Sequence, residues 1–442
     1  MMIRLKFCLV GLLALGLAGV SHGADNEPPA GFVALFNGKD LKGWWGYDTK
    51  DPRKFQAMSA EEQQAAREKS LDDINKHWSI QGADLVNDGN GLYLTTDKNY
   101  GDYELWIDYK TVPKADSGIY LKGTPQVQIW DSTDPSKFGI GADKGSGGLW
   151  NNSAGKPGKD PLVLADKPFG EWNRFHIIQL GARTTVTLND KLVVDNAILE
   201  NYYDRALPLI AKGPIQLQTH GGEIRWKNVF IREIPTDEAN SLLQQRVVRD
   251  GRTALFNGTD LTGWAGAIDN YEVADGAIRC KPGKGGVLHT KDDYSDFTVS
   301  LEFKLPPGGN NGLAIRYPGQ GDTAYVGMCE LQVLDNEAPQ YKSLDKRQYH
   351  GSAYGMAAAA RGYQRPTGEW NYQEVTVVGS TIKVELNGNV ILDTDLSKIT
   401  EYMANSPHPG KDRTTGSFGF AGHGDAVQFR NVRIKSLAEA AK

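Results

Sequence analysis

The sequence predicts an all-β chain: two antiparallel β-sandwich or jelly-roll domains in tandem, with one helical insertion in the first. Three observations carry this. ALFNGKDLKGW, from Ala34, returns as ALFNGTDLTGW from Ala254, changed only at Lys39/Thr259 and Lys42/Thr262, and a repeat of that length marks a duplicated unit. Short segments with period two, such as YELWIDY from Tyr103 and FTVSLEFKL from Phe297, read as strands. The 51 glycines supply tight turns between them, and 442 residues suffice for two domains, each with its own core.

Taken in order, residues 1–23 read as an export signal. Arg4 and Lys6 precede an apolar run from Phe7 to Val20, and Ser21 and Gly23 suit cleavage before Ala24. The expectation is an exported protein, periplasmic or secreted, with no transmembrane span. The first domain then covers 24–238. Its insertion, SAEEQQAAREKSLDDINKHW from Ser59, carries a Ser cap and a capping-box Glu62, and its even mixture of charges predicts a solvated helix. GEWNRFHI, TTVTLNDKLVVD and GPIQLQTHGGEIRWKNVFIREI follow, answered in the same order by GEWNYQEV, STIKVELNGNVILD and GSFGFAGHGDAVQFRNVRIKSL. A polar, helix-compatible linker over 239–250 separates the first domain from the second, 251–442. Spacing between the copies drifts, as loop insertions on a shared scaffold would make it.

A net charge of -5, with 49 basic and 54 acidic residues, gives no electrostatic reason for a nucleic-acid partner. Ten Trp and many other aromatics serve either a core or sugar-stacking platforms. Cys280 and Cys329, the two cysteines after the signal, are either a disulfide or a pair of buried thiols.

Alternation decides which side chains share a face. In TPQVQIWD, Gln126, Gln128 and Trp130 oppose Val127 and Ile129; in GPIQLQTHGG, Gln216, Gln218 and His220 oppose Ile215 and Leu217. The result is a polar face on a concave sheet. The second copy offers Glu330, Gln332 and His423 at matching places, with Phe418 and Phe420 in place of the glutamines. Lys122 and Arg316 align after their turns, as positively charged residues suited to bind a hydroxyl, carboxylate or carbonyl oxygen; alternatively, Arg316 pairs with Glu302 or Glu330. Asp131 and Asp335 end equivalent strands, where Asp serves either as ligand or as Asx-turn former. His350, in QYHGSAYG, is a further candidate without a counterpart in the first copy. Acidic groups near a repeated His, with no Cys ligands, suit a divalent cation such as calcium or manganese better than zinc.

The ordered set LFNGKDLKGW, GIYLKG, QVQIWD, GEWNRFHI, LNDKLVVD, IQLQTHGG and WKNVFI resembles the bacterial domain of unknown function 1080, associated with cleavage of 3-keto-glycosides. LFNGTDLTGW, NNGLAIRY, ELQVLDN, GEWN, LNGNVILD, GHG and FRNVRI resemble it again. The resemblance implies a concanavalin-like β-sandwich acting on an oligosaccharide or glycoside that a separate sugar 3-oxidoreductase has oxidised at C3. It implies elimination: a base takes the C2 proton, the anomeric substituent leaves, and water can add to the resulting glycal. Carried onto this sequence, the family pattern places Glu330, His423, Arg316 and His220 as catalytic candidates. The same pattern gives Gln332, Asp335, Lys122, Gln128 and Asp131 as substrate-binding candidates; strand alternation adds Gln126 and Gln218, and the scarcity of histidine, eight in all, adds His350. The first copy has ADSG where the family has NSG, and Gln126 where it has Glu; the second lacks the LQ before its His. One copy is then the catalyst and the other a binding module, in either order, and a wholly non-catalytic carbohydrate-binding or adhesion protein is the alternative.

Overall fold

The computed structural model describes residues 25–437; the segment read as an export signal lies outside them. Each copy folds as two stacked antiparallel sheets, one of eight strands and one of five. The five-stranded sheet of copy one runs Trp44–Tyr47, Tyr93–Thr96, Gln216–Leu217, Asp116–Leu121 and Thr124–Trp130. That of copy two runs Trp264–Gly266, Gly286–Tyr294, Gly416–Gly422, Asn310–Tyr317 and Cys329–Leu334. Alternation sends Val127, Ile129, Ile215 and Leu217 into one core, and Leu313, Leu331, Phe418 and Phe420 into the other. Burying such side chains is what holds the two sheets of each copy together.

The opening motif is a structural device in both copies. Asn37 and Asn257 turn the chain by accepting from the amides of Lys39 and Asp40, and of Thr259 and Asp260. Trp44 and Trp264 then bury their rings and donate Nε1 to the carbonyls of Leu35 and Leu255. Its recurrence therefore marks where each sandwich closes, rather than a site.

Helix α1 (Pro52–Gln56) and helix α2 (Ala60–His77) form the insertion of copy one. The Ser59/Glu62 capping box is present. Only Ser70 and Ile74 of α2 are buried, but they cover the edge strand Trp44–Tyr47: Ser70 Oγ accepts from the amide of Gly46. Helix α2 thus protects a sheet edge as well as facing solvent.

The stretch between the copies forms helix α3 (Thr236–Arg249), whose Ala239, Leu243 and Val247 pack against Leu180, Ile234 and Tyr372. Arg183 pairs with Glu385 across the copies, and Arg246 and Arg252 converge on Glu374. The turns touch directly, Ala182 N donating to Gly388 O at 3.0 Å. Cys280 and Cys329 are free, buried thiols. Among the described residues no helix is long and apolar enough to cross a membrane.

Candidate active site

Beside Glu330, the outer face of the copy-two five-stranded sheet is floored by the small residues Gly312, Ala314, Gly419 and Ala421. Cross-strand pairing sets Ala265, His289, Gly419, Ala314 and Glu330 in one row. Val287, Ala421, Gly312 and Gln332 form the next. Gly312 is needed there, because a Cβ on it would run into the Glu330 carboxylate. Short floor residues leave Glu330 room to lie across the sheet with its side chain 6% exposed. His423, half-exposed just past the end of Gly416–Gly422 and two strands over from Glu330, places Nε2 3.8 Å from Glu330 Oε1. The Glu330 carboxylate beside it raises the His423 pKa above the usual imidazole range against burial, and the charges of Asp322 and Asp425 add to it. Gln332 donates Nε2 to Asn310 Oδ1 at 2.7 Å, and Asp425 accepts from the Asn310 amide.

A segment absent from copy one roofs part of this floor. Where copy one turns tightly at Lys122 and Gly123, copy two inserts residues 318–328, including the one-turn helix α4 (Thr323–Val326). Thr323 Oγ1 donates to Glu330 Oε2. His408 secures α4 from the far side, its Nδ1 2.7 Å from Ala324 O and its ring stacked on Tyr325 at 4.9 Å. Neither Thr323 nor Asp322 stands out in the sequence by residue type; comparing the lengths of the two turns flags only the inserted segment that carries them.

Copy one has the same histidine but moves the acid. His220 Nδ1 lies 3.2 Å from Asp116 Oδ2, on the strand equivalent to that of Asn310. Lys137 Nζ reaches the same oxygen at 2.7 Å and Gln128 Nε2 donates to Oδ1 at 2.9 Å. Burial works to raise the Asp116 carboxyl, but His220 and Lys137 hold it below the usual range. Asp116 raises the pKa of His220 in turn. At the position of Glu330 stands Gln126, whose Nε2 donates to Gln128 Oε1. Copy one therefore presents a fully paired carboxylate and an amide where copy two presents a carboxylate beside an imidazole. Asp116 was missed in the sequence; its signal was the pairing of ADSG with NNG.

Five sequence-derived candidates do not join these faces. Lys122 and Arg316 are buried. Lys122 donates to Gly181 O at 2.7 Å; Arg316 donates to Ser295 O, Gly379 O and Arg413 O, and pairs with Asp296 rather than Glu302 or Glu330. Each pins the turn of an equivalent hairpin in the opposite sheet. Burial lowers Lys122 to about 8 and lowers Arg316 from its usual value. His350 lies in the copy-two interior with its ring 4.8 Å from that of Phe303, and burial pulls its pKa down to about 3. Asp131 accepts from the amides of Lys114 and Thr133, and Asp335 from those of Gly308 and Glu337, so both are turn formers. Among the described residues no group of three or more His, Cys, Asp or Glu is arranged to hold a metal ion. A cleft of about 1270 Å³ lies between the copies, lined by Arg183, Ile198, Arg246 and Leu392 among others; it contains none of the candidates. Carboxylate and imidazole meet on the sheet face and not in that cleft.

The chain is similar to several known proteins. A 3-keto-disaccharide hydrolase of Bacteroides thetaiotaomicron is 28% identical over 251 residues, 47% of this chain and 86% of that protein. Two crystal structures of proteins assigned as glycosyl hydrolases from Parabacteroides distasonis are similar. One is 27% identical with a TM-score of 0.39, covering 42% of this chain and 99% of that one. The other is 25% identical with a TM-score of 0.38, covering 44% and 97%. The profile of the 3-keto-alpha-glucoside-1,2-lyase-like domain matches residues 31–232 and again 251–435. The chain belongs to the family of 3-keto-alpha-glucoside-1,2-lyase-like domains and carries that domain twice in tandem.

Proposed function

We propose that the protein is an exported enzyme that cleaves 3-keto-glycosides, and that copy two performs the cleavage. The observation that carries the assignment is the Glu330–His423 pair above a floor of Gly and Ala, which leaves space for a sugar ring beside a carboxylate.

Glu330 takes the proton from C2 of the substrate. The C2–H electron pair moves into the C2–C3 bond, and the C3 carbonyl becomes an enolate oxygen. His423, whose raised pKa favours the imidazolium, supplies positive charge and an N–H to that oxygen. The enolate then collapses: the C3 carbonyl re-forms, C1 and C2 become doubly bonded, and the C1–O bond breaks. The departing oxygen takes the proton that Glu330 removed from C2 and leaves as an alcohol, which returns Glu330 to the carboxylate. Water can add to the glycal in a later step. Because the ketone spreads the charge developed at C2, one base suffices where an ordinary glycosidase needs a carboxylate pair. Arg316, buried against backbone carbonyls, takes no part.

A 3-keto-disaccharide deuterated at C2 tests this route. Elimination predicts a primary isotope effect on kcat/KM and no turnover of the unoxidised parent. An isotope effect of one in single-turnover experiments, or equal cleavage of the parent, would contradict it.

A further inference from the structure

The outer face of copy one is built differently from its counterpart. Trp45, Thr95, Gln216 and Tyr120 pair across four strands where copy two has Ala265, His289, Gly419 and Ala314. Tyr47 pairs with Tyr93, and Gln218 bonds through its amide to Gly118 O. The side-chain oxygens Oε1 of Gln126, Gln216 and Gln218 are buried without a donor, in residues 5%, 0% and 6% exposed. Native structures seldom leave buried acceptors unpaired, and three on one sheet face point to a ligand that brings donors. Terminal amide torsions are soft, so small rotations turn these oxygens outward. Gly118 leaves the space beside them open but for Gln126 itself, 2.8 Å from where a Cβ would stand. Tyr93 and Tyr47 are half-buried on the same face, and the Tyr93 ring meets that of Tyr120 at 5.4 Å. Aromatic faces beside side-chain amides are the chemistry that recognises a sugar ring and its hydroxyls.

We propose that copy one binds unoxidised saccharide and does not cleave it. The sugar ring lies against Tyr93 and Tyr47, and its hydroxyls donate to Oε1 of Gln126 and Gln218. A C3 ketone has lost one donor, so this face favours the intact sugar over the oxidised one. With Gln126 where copy two has Glu330, and Asp116 paired to Lys137 and His220, no free base faces the ligand. Copy one holds the polymer or oligosaccharide, while copy two acts on oxidised residues. The binding stands independently of the cleavage assigned to copy two.

Isothermal titration of the intact mature chain with maltose and with cellobiose tests it, with no turnover measured. The expected result is binding of at least one disaccharide, weakened about tenfold by Gln218→Leu and by Tyr93→Ala, unaffected by Glu330→Gln. The 3-keto form of the same sugar should compete more weakly for this site in the Glu330→Gln background. Two substitutions on separate strands guard against the misfolding of either. Absence of binding to both sugars, binding that survives both copy-one substitutions, or binding abolished by Glu330→Gln would overturn the proposal.

Discussion

His423 holds its imidazole 3.8 Å from the carboxylate of Glu330, the two residues arriving from strands that flank Asn310–Tyr317. The repeated histidine of copy one meets its acid from the intervening strand instead, at Asp116. Duplication has kept the imidazole and moved the carboxylate, and the chemistry assigned to each copy follows from that move.

Partnership with Glu330 should show directly in titration. His423 should titrate above the ordinary imidazole value of about 6.5, and Glu330→Gln should lower it. Stability drawn from the pair is then fully present below the unfolded pKa and fades as pH rises through the folded value; half-exposure of His423 keeps it small. If the imidazolium is the required form, activity falls on the alkaline side of the folded value. NMR of the imidazole protons checks this; an unchanged His423 pKa in Glu330→Gln would refute the coupling.

Gly312→Ala isolates the space above the sheet. The backbone there is not left-handed, so strain comes from the added methyl against Glu330 alone. Displacing a catalytic carboxylate by about an ångström should cost about a hundredfold in kcat, with the melting temperature little changed. Gly118→Ala in copy one should leave turnover intact.

Arg316→Met should cost about 3 kcal/mol of stability, because Asp296 and three carbonyls lose a buried cation. The folded fraction should retain its kcat, which steady-state kinetics below the melting temperature can read. A kcat loss without destabilisation would return Arg316 to the reaction.

The tandem repeat, the strand alternation of Gln126, Gln128 and Glu330, and the α2 cap were all legible, because each depends on local periodicity or capping. Lys122 and Arg316 were misplaced because aligning them after their turns does not reveal a bulge. Pairing shifts register after Ile119 and after Ala314, and Lys122 and Arg316 have φ of 54° and 47°. The bulge turns each cation away from the outer face and into the sandwich. His350 looked functional through scarcity alone, and only packing against Phe303 assigns it to the interior. Thr323 needed the tertiary fold, since nothing in a turn insertion says where it docks.

Contact between the copies should be acid-sensitive. Burial works to raise the Glu374 carboxyl, but the charges of Arg246, Arg252 and Arg183 overcome it and hold it down to about 2. Its contribution is present above the unfolded carboxylate value of about 4.3 and is lost as pH falls toward the folded one. Melting temperature measured between neutral pH and pH 3 should therefore decline in the wild type and decline less in Glu374→Gln. Parallel curves would contradict the linkage.

Turnover of a 3-keto-disaccharide by Glu330→Gln, set beside Gln126→Leu and His220→Gln, tests the central claim most directly. Assigning cleavage to copy two predicts that Glu330→Gln loses at least about a thousandfold in kcat/KM at unchanged melting temperature, while the two copy-one variants keep wild-type rates. Wild-type turnover in Glu330→Gln together with loss in His220→Gln would contradict it and move the chemistry to copy one.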